Sequence, residues 1–505
     1  MRKNTSLLFL IRIIKLLVGI LNLSLTARYF GVSVEKDVWL LAISVVLFLD
    51  MAVWGPINET FRSKFIFLKV ESGEAQAIKK TKSLLFFTFI ISVALVVTVI
   101  VCPQILANII APSYTGVIYK KMIQMIVIAA PIMLITQLSA IGTSILNAYE
   151  SFFVPEVTGF FTAIINLMVL IFLAPYIGIY SLVISYYVGA VLLLVLLFIQ
   201  IKKLKIPIFK GYGDVKFKDF KVFFLFALPF FFPYFFGQVS GILEKTLVST
   251  IGVGNVSALD YSRKFTDILT GVLTSVLFTM LVPVLSLKYI ENQPKEFVRN
   301  FKEIFQLGML FLTFVITLFT STSHSFVSIF FDKGMISNDT LHEISNLTIF
   351  YSWSTFAVFI YLVFGVALLS SDRSKKYAFW GVIAQIISIL LNFIFMNSMG
   401  IYIFPISLLV SHFIVGITMA FFFPYKNKIL INVFLKYVSI LILTTSSVFL
   451  INNFINIQIN SFLDIASNSI LTLIFIVTFV VLFNLDERKT IHNYYKQIKQ
   501  KCKDF

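Results

Sequence analysis

This sequence predicts an all-α polytopic membrane protein, and three observations carry the prediction. Hydrophobic residues make up 59% of the 505-residue chain and charged residues only 13%, with a mean hydropathy of +0.95. A soluble protein of this size could not hide so much apolar surface. Apolar runs of about 18 residues or more, long enough to cross a bilayer as helices, recur along the whole chain. Lys and Arg gather in alternate connections between these runs. The expected architecture has about 14 transmembrane helices: two six-helix lobes related by pseudo-two-fold symmetry, plus two C-terminal helices.

The spans fall at approximately 5–30, 38–56, 83–111, 120–147, 153–174, 177–201, 219–250, 262–287, 301–330, 341–371, 376–397, 400–423, 433–452 and 464–484. Charge tests this map. With the amino terminus inside, the inside segments hold 31 of the 41 Lys and Arg, and the outside loops hold only Lys36, Lys120, Lys121 and Lys333. Such asymmetry is the positive-inside pattern, and it places both termini in the cytoplasm. The formal net charge of +17 therefore reads as loops facing an anionic leaflet, with no nucleic-acid partner. Met1-Arg2-Lys3 before an apolar run resembles a signal peptide, but Arg12 and Lys15 interrupt that run and no small-x-small site follows. The expectation is a retained first helix. Cys102 and Cys502 lie in an apolar run and in the tail; neither a disulfide nor a metal site is expected.

A repeat organises the middle of the chain. Gly31-Val32-Ser33-Val34 and then Asp37 follow the first helix; Gly252-Val253-Gly254-Asn255-Val256 and then Asp260 follow the seventh, 221 residues later. The stretches starting at Gly142 and Gly365 match at an offset of 223. Two similar offsets predict an N-terminal lobe at 1–218 and a parallel C-terminal lobe at 219–430. Extra helices occupy 431–485 and a basic cytoplasmic tail 486–505. Parallel repeats are a common transporter plan, with the substrate path between them.

The candidate binding residues are the charged and polar groups at membrane depth. Arg12, Lys15, Gly19, Asn22 and Thr26 follow a 3-4-3-4 spacing, which puts them on one face of the first helix. Charge at that depth costs roughly 3 kcal/mol or more unless it faces protein or water. The stripe either lines a wet cavity, or its two cations snorkel to the headgroups. Arg28 ends the same helix. Helix 7 carries Pro229, Pro233, Gly237 and Gly241, all poor for a straight helix, read as breaks or as packing kinks; its stripe of Tyr234, Gln238, Gly241, Lys245 and Ser249 has Glu244 beside it, and Glu244 and Lys245 are either cavity groups or solvated near the outer interface. Helix 8 opens with Asp260, Arg263, Lys264 and Asp267; the cations there are either cavity groups or headgroup anchors. Helix 2 holds one deep acid, Asp50, for which a cavity or ion-coupling role is the expectation because acids snorkel poorly. Arg and Lys pair readily with phosphate oxygens, so a cavity that is cationic on balance suits an anionic substrate such as a pyrophosphate.

No catalytic signature is present. A Walker loop is missing, so ATP is not the expected energy source. His324, His342, His412 and His492 show no metal spacing. The outside loops are too short to hold an active site. The 57 phenylalanines read as lipid-facing bulk.

Several motifs resemble those of the MurJ/MviN group of lipid II flippases, within the superfamily that includes multidrug (MATE) exporters and polysaccharide (Wzx) flippases. They are Ala27-Arg28-Tyr29-Phe30-Gly31 with Asp37; the Gly142–Pro155 stretch ending N-A-Y-E-S-F-F-V-P; and Tyr261, Lys264, Asp267 and Thr270-Gly271-Val272-Leu273, followed by Leu281-Val282-Pro283. Gln238 fits the family's helix 7. The resemblance implies a two-lobed alternating-access flippase for an undecaprenyl-(pyro)phosphate-linked oligosaccharide in the bacterial inner membrane, acting as a monomer. It implies drive by an H+ or Na+ gradient or the membrane potential, and an extra helix pair that guides the lipid tail. Departures are concentrated in the cavity face. Where the family carries an R-x-x-G-x-x-R-D pattern on helix 1 and an Arg pair late in helix 2, this chain reads Leu16, Gly19 and Asn22, then Asp50 and Met51. This divergence points to a capsule, exopolysaccharide or O-antigen unit rather than a peptidoglycan precursor. A multidrug exporter is the alternative within transport, predicting an acidic or aromatic cavity. A membrane polysaccharide polymerase or ligase is the alternative among enzymes, predicting a large outside loop with catalytic Arg or His.

Overall fold

The computed structural model describes residues 2–149, 151, 153–209, 215–332, 335–425, 428–455 and 460–485. Its helices are α1 (Arg2–Phe30), α2 (Val34–Ser72), α3 (Glu74–Val101), α4 (Pro103–Ile110), α5 (Gly116–Ala129), α6 (Ile132–Ala148), α7 (Phe153–Ile177), α8 (Tyr180–Lys203), α9 (Phe217–Ile251), α10 (Asn255–Val276), α11 (Val282–Ile290), α12 (Pro294–Phe331), α13 (Asn338–Leu369), α14 (Ser374–Met399), α15 (Ile403–Phe421), α16 (Lys428–Ile455) and α17 (Ser461–Leu482). The described residues contain no strand, as expected where a bilayer leaves every backbone group to be satisfied within its own segment.

Among the described residues, eleven stretches are long and apolar enough to cross a membrane. One of them, Ser374–Phe421, contains two of the expected spans joined by a 3-10 turn at Gly400–Tyr402. The expected first span is α1, of which Leu17–Phe30 is strongly apolar. The expected eighth is the run α10, a π-helical turn at Leu277–Leu281, and α11. One detail differs from the sequence reading. The span expected at 83–111 is broken at Cys102, because Pro103 starts a new helix where its missing N–H is harmless. At Pro229 and Pro233, where breaks or packing kinks are expected, α9 runs on as one helix from Phe217 to Ile251.

The chain forms two compact units. The first comprises Met1–Asp260, Lys333–Ser337 and Ile389–Ile401; the second comprises Tyr261–Asp332, Asn338–Ser388 and Tyr402–Phe505. In the first, α2 packs mainly on α9, α6, α5 and α3, while α1 packs on α7 and α7 on α8. Its core centres on Trp54, Phe61 and Phe65 of α2 against Phe220 and Phe223 of α9, with Phe61 and Phe223 stacked 5.3 Å apart. In the second, α13 packs on α15 and α12, and α12 also on α16 and α17. There the core runs along Phe297, Phe301, Phe305, Met309, Leu312 and Ile316, one face of α12 at helical spacing. Lipid tails are as apolar as these side chains, so packing and polar contacts between helices hold such units together.

Candidate functional site

The turn between α1 and α2 sets up the first polar site. Gly31 has φ +54°, and a Cβ there would lie 2.6 Å from the Met335 carbonyl oxygen. Only glycine fits both demands. Ser33 then caps α2 by accepting from the Lys36 amide. This start puts Asp37, fully buried, against the first turn of α10. The Asp37 carboxylate accepts from the Gly254 amide at 2.6 Å, from the Ser257 amide at 2.8 Å and from the Ser257 hydroxyl at 2.5 Å. A carboxylate on helix N-terminal amides satisfies orphan donors and complements the helix dipole. Tyr114 adds a fourth donor at 3.4 Å. Burial first, and the Asp37 charge second, push the Tyr114 phenol above its ordinary pKa, so the hydroxyl stays protonated and donating. Buried Lys36 lies 3.9 Å from Asp260 beside this cap.

Further along α2, two polar faces diverge. Asp37, Ser44, Gly55 and Glu59 fall within about 60° of one another around the helix axis. All four meet the α9–α10 run. The Lys245 ammonium donates to the Ser44 hydroxyl, and the Tyr234 phenol to Glu59 at 3.1 Å. A Cβ on Gly55 would lie 2.7 Å from the Tyr234 ring, so glycine is what lets that ring seat. The other face meets α6. Buried Asp50 accepts from the Thr136 hydroxyl at 3.1 Å through Oδ2, and its buried Oδ1 has no partner among the described residues. Two turns on, Asn58 and fully buried Gln137 exchange amide hydrogen bonds at 3.1 Å each.

The stripe of α1 meets α7. Asn22 donates from Nδ2 to the Ala163 carbonyl at 3.0 Å, while its Oδ1 is buried without a described partner. One heptad earlier, the exposed Lys15 ammonium lies over Gly159, where a Cβ would be 2.8 Å from Nζ. Thr26 bonds its own helix at the Asn22 carbonyl. Arg28 is exposed at the end of α1, and the Arg12 side chain lies outside the described residues. Gln238 and Glu244 are half-buried on α9. In the second unit, Arg263 donates to the exposed Asp267 at 3.1 Å and lies 5.9 Å from the centre of the Tyr351 ring. Lys264 is half-buried beside it.

The structure thus joins Asp50 to α6, Lys245 to α2, Asn22 to α7, and Arg263 to Asp267. Sequence reasoning used Asp37 as a repeat marker and a family motif residue, not as a candidate site residue, and it passed over Ser44, Asn58, Thr136 and Gln137. A polar pair inside an apolar span, as at Thr136-Gln137, was the available signal. The histidines also hold a surprise: His324 and His342 stack in the second unit, centroids 4.4 Å apart and planes within 8°. Among the described residues, no three His, Cys, Asp or Glu side chains gather where a metal ion could bind.

Chemically, each unit offers cations, and Asp50 in the first offers a buried carboxylate oxygen with no partner among the described residues. The family model of the lipid II flippase MurJ matches residues 26–446. A probable lipid II flippase of Aquifex aeolicus is 24% identical over 448 residues, covering 86% of each chain. The lipid II flippase of Thermosipho africanus is 30% identical over 182 residues, covering 35% of this chain and 36% of that one. Among solved structures, a lipid II flippase in an inward closed conformation superposes with a TM-score of 0.82 at 21% identity, covering 96% of this chain and 100% of that one. An inward-facing multidrug MATE transporter superposes with a TM-score of 0.66 at 11% identity, covering 80% of this chain and 93% of that one. With the model matched across most of its length, this multi-pass membrane chain belongs to the MurJ family of lipid II flippases.

Proposed function

We propose that this chain is a flippase that carries an undecaprenyl-(pyro)phosphate-linked oligosaccharide across the bacterial cytoplasmic membrane by alternating access. The family match over residues 26–446 carries the reading. Lys15, Lys245, Arg263 and Lys264 fit it chemically, since ammonium and guanidinium groups recognise phosphate oxygens. Asp50 supports drive by an ion gradient: a buried carboxylate with a bare Oδ1 is an acceptor for H+ or Na+. Both termini face the cytoplasm on the lysine and arginine distribution, and the protein works as a monomer in the bilayer.

The test is reconstitution. Proteoliposomes with a fluorescent undecaprenyl-pyrophosphate saccharide in the inner leaflet should expose it to an external glycosidase at a protein-dependent rate. The K15M/K264M double variant should slow that rate at unchanged protein content. An unchanged rate in the double variant would remove the cationic path. The finer reading favours a polysaccharide repeat unit over lipid II, because Asn22 stands at a position where the family carries arginine and gives its amide donor to Ala163. Faster flipping of lipid II than of the repeat unit would overturn that finer reading.

A further inference from the structure

We propose that the first unit carries a binding site for an anionic glycerophospholipid, with one acyl chain in an apolar cavity and the phosphate against Lys202 and Lys205. The cavity has a volume of about 520 Å³. Leu85 and Phe89 of α3, Leu138 of α6 and Leu194 of α8 form its walls, and Ile208 and Phe209 close one end. None of these side chains offers a hydrogen bond, so only an apolar occupant fits. Phe89, Phe198 and Phe209 at its edge are each more than a third exposed, so it opens toward lipid.

The chain builds a cationic mouth onto this bore. α8 ends in a reversal: the Ile206 amide bonds the Ile201 carbonyl at 3.2 Å and the Lys205 amide the Lys202 carbonyl at 3.0 Å. This pairing is the Schellman pattern. Its left-handed residue is ordinarily glycine, yet here it is Lys205 at φ +56°. The reversal brings Pro207–Phe209 back as a 3-10 turn, and Phe209 packs on Phe198 at 4.6 Å. The Lys202 ammonium stands 4.4 Å over the Phe198 ring, on the rim of the same cavity. Lys203 and Lys205 are exposed next to it, and Lys82 lies one turn before Phe86, which also lines the cavity. Apolar bore and cationic mouth together match an acyl chain joined to a phosphate. The volume matches a single-ligand pocket, about 300–1,000 Å³, and so a single acyl chain; a polyprenyl tail is several times longer. The mouth lies at the cytoplasmic ends of α3 and α8 on the orientation proposed above. Lipid retention is read without translocation, so its outcome is distinguishable from that of the transport test.

Native mass spectrometry of the full-length protein, with equal amounts of dioleoyl phosphatidylglycerol and dioleoyl phosphatidylcholine, tests this. The wild type should retain one phosphatidylglycerol with at least a fivefold preference. K202E/K205E, which changes only exposed positions, should bring the two lipids to parity. Gly142 lines the cavity, and a Cβ there meets nothing closer than Leu197 Cδ1 at 3.4 Å; Gly142→Leu should fill the bore and lower the bound count by one. Equal retention of both lipids by the wild type would overturn the proposal. So would an unaltered preference in K202E/K205E, an unchanged count in a folded Gly142→Leu variant, or displacement of the phosphatidylglycerol by undecaprenyl phosphate.

Discussion

Two buried carboxylates on one helix have opposite surroundings. Asp37 and Asp50 sit about 20 Å apart along α2 and about 140° apart around it. Asp37 accepts from two amides, a serine hydroxyl and a tyrosine. Asp50 accepts from Thr136 alone, and its second oxygen has no described partner. A buried charge is tolerated when its lone pairs are filled and is costly when they are not. Asp37 therefore has the environment of a structural group. Asp50 has the environment of a group kept for something that comes and goes.

The largest effect should follow from removing the saturated acid. Asp37→Ala leaves the Gly254 and Ser257 amides without their acceptor in a buried site. Each such orphan costs about 1–3 kcal/mol, so the two together cost about 2–6 kcal/mol. Thermal unfolding in detergent should show a clear drop, with Asp37→Asn in between because its carbonyl still accepts. If Asp37→Ala unfolds like the wild type, the cap holds nothing and the contrast between the two acids collapses.

Asp50 should behave in reverse. Asp50→Asn keeps an acceptor for Thr136 and removes the charge, so stability should hold within about 1 kcal/mol, a typical worth for one hydrogen bond. Translocation should fall about tenfold or more, the factor corresponding to about 1.4 kcal/mol of ion binding. Its rate should also lose sensitivity to imposed H+ or Na+ gradients. A variant that responds to both gradients like the wild type would end the ion-coupling role and leave Asp50 a tolerated buried polar group.

This contrast also shows what sequence can and cannot disclose. The spans were legible because membrane depth forces long apolar runs, and apolar runs survive any error about partners. Their ends were less so: the helix expected at 38–56 continues as α2 to Ser72, carrying Glu59, Arg62, Lys64 and Lys69 as helical residues rather than loop. Charge marks where a helix leaves the hydrocarbon, not where it stops. Pro229 and Pro233 read as breaks or as packing kinks, and α9 continues through them, since in a membrane a proline can be absorbed when neighbours serve the freed backbone. The site was legible by type and not by pairing. Asp50 and Lys245 stand out because charge is rare in such spans. Asp37 did not stand out as a ligand holder, because its donors at Gly254 and Ser257 lie more than 200 residues away. The stacked His324 and His342 obey no spacing rule either; two helices must fold together before they meet.

A small effect on stability is also expected in the second unit, and its smallness makes it useful. Arg263 and Asp267 form a 3.1 Å ion pair whose side chains are 37% and 51% exposed. Exposed i,i+4 pairs are worth about 0.3–0.5 kcal/mol, and a cation over an aromatic ring at this distance adds about 0.5–1 kcal/mol at an exposed site. Losing these two contacts in Arg263→Ala should shift unfolding by about 0.8–1.5 kcal/mol, less than Asp37→Ala. Any loss of translocation beyond about fivefold at unchanged stability then belongs to substrate handling. Arg263→Lys keeps the charge but loses the planar fork that holds phosphate in two bonds. It separates the remaining options: recovery of the rate means a point charge suffices, and no recovery means the guanidinium geometry reads the substrate.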